Sequence, residues 1–195
     1  MTTIKFWKPF QVMTQFTPDD DARETLADYI DLKEVYPAGR LDYDSEGLML
    51  LTDDGKLNHR LTHPKHGHPR SYWVQIENIP DEKFFSKIRH GGIEIKNYKT
   101  RPGTAGLIDA PDLPERNPPI RVRANIPDCW IELTLTEGKK RQVRRMTAAL
   151  GHPTLRLVRA SIGPIKLDGL QPGEWTELDE IEMKALRVSI RESKR

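Results

Sequence analysis

The sequence predicts an α+β fold built on a largely antiparallel sheet with flanking helices. Short apolar segments with two-residue periodicity recur along the chain, and helical periodicity appears between some of them. The two kinds do not alternate strictly, as a doubly wound fold would require. The 195 residues allow one domain or two small fused ones, and 36% hydrophobic residues suffice for a core. No unbroken apolar run approaches the roughly 18 residues a membrane helix needs.

Residues 4–13 read as an extended segment broken at Lys8-Pro9, and 25–30 as a short helix after the acidic turn Asp19-Asp20-Asp21. A brief extended piece at 35–36 leads into a loop. Leu48-Met49-Leu50-Leu51 is a short apolar run ended by Asp53-Asp54-Gly55, which fits a buried strand and then a turn able to cap a helix over 56–61. Tyr72, Val74 and Ile76 alternate with Trp73 and Gln75 as in a strand. Pro80 opens a helix with Phe84 and Ile88 one turn apart, closed by Gly91-Gly92 before the alternating Ile93-Glu94-Ile95. Residues 101–128 carry many prolines and few apolar pairs, and read as a long connection. Ile131, Leu133 and Leu135 mark another strand. Gly138 then turns the chain into a basic helix over 140–150 that stops at Gly151 and Pro153, and 155–160 form the strand that follows. The expected division is a body over 1–182, made of two α/β subdomains, and a basic tail over 183–195.

The 31 Lys+Arg against 29 Asp+Glu leave a net charge of only +2, but the charge is segregated. Residues 19–31 and 174–182 are acidic. Between Glu137 and Ala160 stand Lys139, Lys140, Arg141, Arg144, Arg145, Arg156 and Arg159 against the single acid Glu137. On a helix over 140–150, Arg141, Arg144 and Arg145 share one face while Val143, Met146 and Leu150 face the core. A cluster without acidic partners repels itself, which suits a polyanionic ligand. The single thiol, Cys129, excludes an internal disulfide, and with no leader expected, a reducing cytoplasm is the default setting. His63, His66 and His68 sit in a Pro/Gly-containing loop without regular spacing, so no metal site is expected.

The stretch Gly39-Arg40-Leu41-Asp42-Tyr43-Asp44-Ser45-Glu46-Gly47, followed by an apolar strand ending in Thr52, puts a carboxylate in a glycine-bounded loop between strands. Alone, such an Asp is usually a turn former. The whole string resembles the Arg-Leu-Asp motif of pseudouridine synthases, and specifically their ribosomal branch, in which the Asp is catalytic. Here that residue is Asp42. Further stretches follow in family order. Lys8-Pro9 resembles the motif that opens the catalytic domain. Tyr72 stands where the family places its active-site tyrosine, preceded by Arg70 where a lysine is usual. Glu137-Gly138-Lys139-Lys140-Arg141-Gln142-Val143-Arg144-Arg145-Met146 is similar to the stretch whose first arginine after Gln-Val pairs with the catalytic Asp, which maps to Arg144. Residues 155–163 resemble the strand that supplies an apolar residue under the target base, here Leu157, with Arg40 and Leu41 also in the base pocket. The resemblance covers nearly the whole chain. It implies the pseudouridine synthase catalytic fold with a central RNA-binding cleft. Many relatives begin with a small RNA-binding domain like that of ribosomal protein S4. None fits before Lys8, so RNA docking is expected to fall to the catalytic domain.

What the resemblance implies is isomerisation of a uridine in ribosomal RNA, with large-subunit RNA favoured, by a cofactor-free monomer. Lys139, Lys140, Arg141, Arg145, Arg156 and Arg159 would contact RNA. Glycosidases need two carboxylates, but a uracil anion is delocalised and re-adds to the same sugar, so one carboxylate can suffice. Attack at C1′ and removal of a 2′ proton both remain open. The second reading is a non-catalytic RNA-binding or ribosome-assembly protein; the third is a synthase acting on transfer RNA or small-subunit RNA.

Overall fold

The computed structural model describes residues 1–18, 20–120, 123 and 125–192. In chain order the elements are β1 (Thr3–Lys8), β2 (Tyr36–Pro37), β3 (Glu46–Thr52), α1 (Gly55–Thr62), β4 (Arg70–Glu77), α2 (Glu82–His90), β5 (Glu94–Ile95), β6 (Tyr98–Lys99), β7 (Thr104–Ile108), β8 (Asp128–Leu135), α3 (Gln142–Ala149), β9 (Thr154–Ile162), β10 (Ile165–Lys166), β11 (Trp175–Glu177) and α4 (Glu180–Glu192). Two compact units emerge: Met1–His68 with Arg159–Arg195, and Pro69–Val158. Every ladder whose register is described is antiparallel.

In the first unit β1 runs between β11 and β3, with Ile4 opposite both Glu177 and Leu51. All seven residues of β3 are buried, which explains why its sequence is a continuous apolar run rather than an alternation. The core gathers Ile4, Phe6, Leu26, Ile30, Val35, Leu41, Met49 and Leu51. Residues 26–28 form a 3-10 turn, shorter than the expected helix, held by a capping box in which Thr25 and Asp28 satisfy each other's backbone. Asp19 lies outside the described residues. Asp54 caps α1 by accepting from the N–H groups of Lys56 and Leu57, as the turn signal implied. At Gly47 the backbone has φ +105°, and a Cβ there would stand 2.5 Å from the backbone N and O of Arg159, so only glycine lets β3 approach β9 this closely.

Residues 183–192 of the basic tail lie in the helix α4, which begins at Glu180. Asp179 and Glu182 cap it reciprocally, at 2.7 Å to the Glu182 N–H and 3.2 Å to the Asp179 N–H. Leu186 and Ile190, one turn apart, are buried. The basic residues around them mask this apolar pair in the sequence. Residues 193–195 lie outside the described set.

In the second unit β8 lies between β4 and β7, with Tyr72 opposite Leu133 and Val74 opposite Ile131. The core contains Val74, Ile76, Phe84, Phe85, Ile88, Ile131, Leu133, Leu135, Val143, Met146 and Leu157. Burying an aliphatic or aromatic side chain of this kind stabilises by roughly 2 kcal/mol. Helix α2 starts just past Pro80, where Asp81 accepts from the Phe84 N–H. The expected connection over 101–128 contains an edge strand, β7, hydrogen-bonded to β8. Its half-exposed residues, interrupted by Gly106, produce no apolar alternation, so only main-chain pairing reveals it.

Candidate active site

The loop from Gly39 to Ser45 is tied down by main-chain acceptors. Thr14 Oγ1 donates to the Leu41 carbonyl at 2.8 Å, the Gln11 N–H to the Tyr43 carbonyl at 2.9 Å, and the Ser45 N–H to the Asp42 carbonyl at 3.0 Å. Arg159, 3% exposed, reaches the same loop from β9: its Nε donates to the Leu48 carbonyl at 2.6 Å and its Nη1 to the Arg40 carbonyl at 3.5 Å. The Arg23 guanidinium lies 5.4 Å from the centre of the Tyr43 ring. Asp42 is thereby held on a fixed backbone with its side chain partly exposed.

Beneath the loop lies a cation that in the sequence is only a short, weak motif. Lys8 is fully buried, and its Nζ donates at 2.8 Å to the carbonyls of both Pro9 and Val12. Burial pushes its pKa down to about 7, against the upward pull of Glu46, Asp44 and, more weakly, Asp42, while Arg159 adds to the depression. Lys8 therefore shares an electrostatic neighbourhood with the carboxylates of the loop. The sequence signal was a lysine ending an otherwise buried strand directly before proline.

In the second unit, α3 presents Arg144, whose Nη1 donates to the Thr154 carbonyl at 3.3 Å. Tyr72 is partly buried against the core at the start of β4. In the first unit the rings of His59, His63 and His66 gather with centroids 4.9–6.1 Å apart. Among the described residues no group of three or more His, Cys, Asp or Glu is placed to hold a metal ion, and no helix is long and apolar enough to cross a membrane.

Residues 6–149 match the family model described as RNA pseudouridylate synthase. The chain belongs to the pseudouridine synthase family. A ribosomal large subunit pseudouridine synthase E of Vibrio parahaemolyticus is 56% identical over 175 residues, covering 90% of this chain and 73% of that protein. One of the same name from Xanthomonas axonopodis pv. citri is 51% identical over 167 residues, covering 85% and 87%. A crystal structure of a pseudouridylate synthase superposes with a TM-score of 0.77 at 30% identity, over 95% of this chain and 73% of that one. This synthase is therefore an isomerase with the α+β fold that the sequence predicted.

The site residues expected of such a synthase fall in both units. Arg40, Leu41 and Asp42 lie together in the first, with Arg40 exposed and Leu41 packed into the core. Tyr72, Arg144 and Leu157 belong to the second, where Leu157 is a core residue. Of the expected RNA contacts, Lys139 and Lys140 are exposed and Arg141 and Arg145 partly so. Arg141 does not share a helical face with Arg144 and Arg145 as expected: it precedes α3 in a left-handed conformation, φ 55°. Arg156 and Arg159 are corrections. They are 6% and 3% exposed on β9, so they are not the surface cations that the charge pattern along the chain implied. Alternation around Leu155 to Ala160 could not show this, because β9 is buried on both faces over residues 156–160.

Proposed function

We propose that this synthase isomerises a uridine of large-subunit ribosomal RNA to pseudouridine with Asp42 as its carboxylate. The support for that carboxylate is its place: a side chain left accessible on a loop whose backbone is pinned by Thr14, Gln11 and Arg159. The RNA target is favoured by the names of the relatives at 50–56% identity, which are ribosomal large subunit pseudouridine synthases.

In the proposed reaction the N1–C1′ bond breaks, the uracil turns within the site, and C5 joins C1′. The proton on C5 is lost and N1 ends protonated, so the product is an isomer of the substrate. Asp42 either attacks C1′ or removes the 2′ proton. Arg144 steadies the carboxylate, while Tyr72 and Leu157 confine the base, with Arg40 and Leu41 beside it. The uridine must leave its stack to react, at a cost of a few kcal/mol, and phosphate contacts from Lys139, Lys140, Arg141 and Arg145 offset that cost. The synthase works as a monomer in the cytoplasm, without a cofactor.

Asp42→Asn is expected to lower pseudouridine formation by at least about 10³-fold while folding and RNA affinity stay within about twofold of the wild type. Retained isomerisation would remove Asp42 from this role. Carbodiimide mapping of ribosomal RNA from cells with and without the gene is expected to show one large-subunit stop disappearing. A stop that disappears from small-subunit or transfer RNA would reassign the substrate, and an unchanged map would favour a non-catalytic RNA-binding protein.

A further inference from the structure

The motif that carries Arg144 contains two residues to which the reaction above gives no task, Glu137 and Gln142. Both are buried, at 8% and 4% exposure. The Glu137 carboxylate is saturated with donors. Its Oε1 accepts from the Arg101 N–H at 2.9 Å and from Gln142 Nε2, and its Oε2 accepts from the Tyr98 hydroxyl, with Arg101 Nε 3.9 Å away. The hydrogen bond from Tyr98, with burial and the carboxylate's charge, raises the pKa of that tyrosine and keeps its hydroxyl a donor. Lys139 Nζ lies 4.5 Å from the centre of the Tyr98 ring.

Gln142 joins this carboxylate to the basic turn. Its Oε1 accepts from the Lys139 N–H at 2.8 Å, while its own backbone N–H donates to the Lys139 carbonyl at 3.0 Å. The amide orientation follows from the chemistry: a backbone N–H can only donate and a carboxylate can only accept, so oxygen must face Lys139 and nitrogen must face Glu137. The two reciprocal bonds close the turn over residues 139–142 and hold Arg141 left-handed ahead of α3, which has no side-chain cap of its own there. Arg144 follows two residues later, about half a turn along the same helix.

We propose that Glu137 and Gln142 are positioning residues, a donor–acceptor clamp that sets the basic turn at 138–141 and, through the start of α3, the placement of Arg144. The clamp acts through Arg144 and the turn, touching neither base nor sugar. The inference rests on Arg144 serving the reaction as proposed above.

Exchanging the two functional groups tests it. Gln142→Glu sets two carboxylates against each other. Glu137→Gln leaves one acceptor oxygen in place of two: with that oxygen toward Gln142 Nε2 and the Arg101 N–H, the amide nitrogen faces the Tyr98 hydroxyl, which must then accept. In Glu137→Gln/Gln142→Glu the new amide nitrogen can donate to the new carboxylate from the place of Oε1, but the Arg101 N–H then loses its acceptor there, so the double exchange restores the contact between 137 and 142 and not the whole cluster. With all variants folded by circular dichroism at the assay temperature, Gln142→Glu is expected to lower kcat/KM on ribosomal RNA by about tenfold or more, and the double exchange to recover only part of that loss. Gln142→Glu alone is further expected to regain activity as pH falls, because a protonated Glu at 142 reproduces the amide's donor and acceptor. A folded Gln142→Glu with wild-type kcat/KM, or one whose deficit relative to the wild type does not shrink as pH falls, would overturn the clamp. Arg144→Ala in the wild-type background separates the premises: if it stays active, the role of Arg144 fails, whatever the exchange shows.

Discussion

Two sets of cations divide this molecule. In the second unit Lys139 and Lys140 stand exposed on the turn before α3, whereas in the first unit Lys8 and Arg159 are buried and spend their donors on main-chain carbonyls around the Asp42 loop. Yet Arg159 and Lys139 belong to the same basic stretch of sequence. A buried cation satisfies backbone acceptors that have no water but at the cost of its own desolvation, while an exposed one contributes little to folding and keeps its charge for phosphates. Charge clustering along a chain thus does not establish a patch in space.

The contrast makes opposed predictions for the two sets. The largest effect is expected from Arg159→Ala, which leaves the Leu48 and Arg40 carbonyls without this donor. Urea unfolding should show a loss of about 2–4 kcal/mol, with reduced isomerisation because the loop loses its tether. The salt dependence of RNA binding should stay unchanged, and a lowered slope with intact stability would instead make Arg159 a phosphate contact.

Next in size, taken per pH unit, is the dependence set by Lys8. An unfolded lysine holds its proton up to about 10.5, but native Lys8 releases it near 7. Between those values the unfolded chain carries more protons than the native one, so this group makes stability rise with pH from about 7 towards about 10.5, and its penalty is complete below about 7. Relative to Lys8→Met, wild-type unfolding free energy should gain up to about 1.4 kcal/mol per pH unit across that window. Parallel curves for the two proteins would show that Lys8 does not titrate there. The smallest change in stability, within about 0.5 kcal/mol, is expected for Lys139→Ala/Lys140→Ala. That variant should bind RNA more weakly, with the slope of log Kd against log salt reduced by about 0.7–0.9 for each phosphate that is no longer neutralised.

Much of the scaffold was legible from periodicity and punctuation. The apolar run of β3, the alternation in β4 and β8 and the Asp54 and Gly91 boundaries reappear at or close to their expected places. What escaped has a common cause. Edge strand β7 shows itself through pairing with β8, and α4 through the burial of Leu186 and Ile190, both of which depend on neighbours distant in the chain. The left-handed Arg141 sits in a turn closed by bonds between Gln142 and Lys139, a local pairing that helical spacing alone does not show.

The residues by themselves determined the family and the α+β class, and singled out Asp42 as the carboxylate to test, because short motifs and local periodicity need no knowledge of distant partners. Tertiary structure alone decided which charges are interior. Burial is a property of the whole packed chain: the same guanidinium is a surface cation or a backbone donor according to what is folded over it.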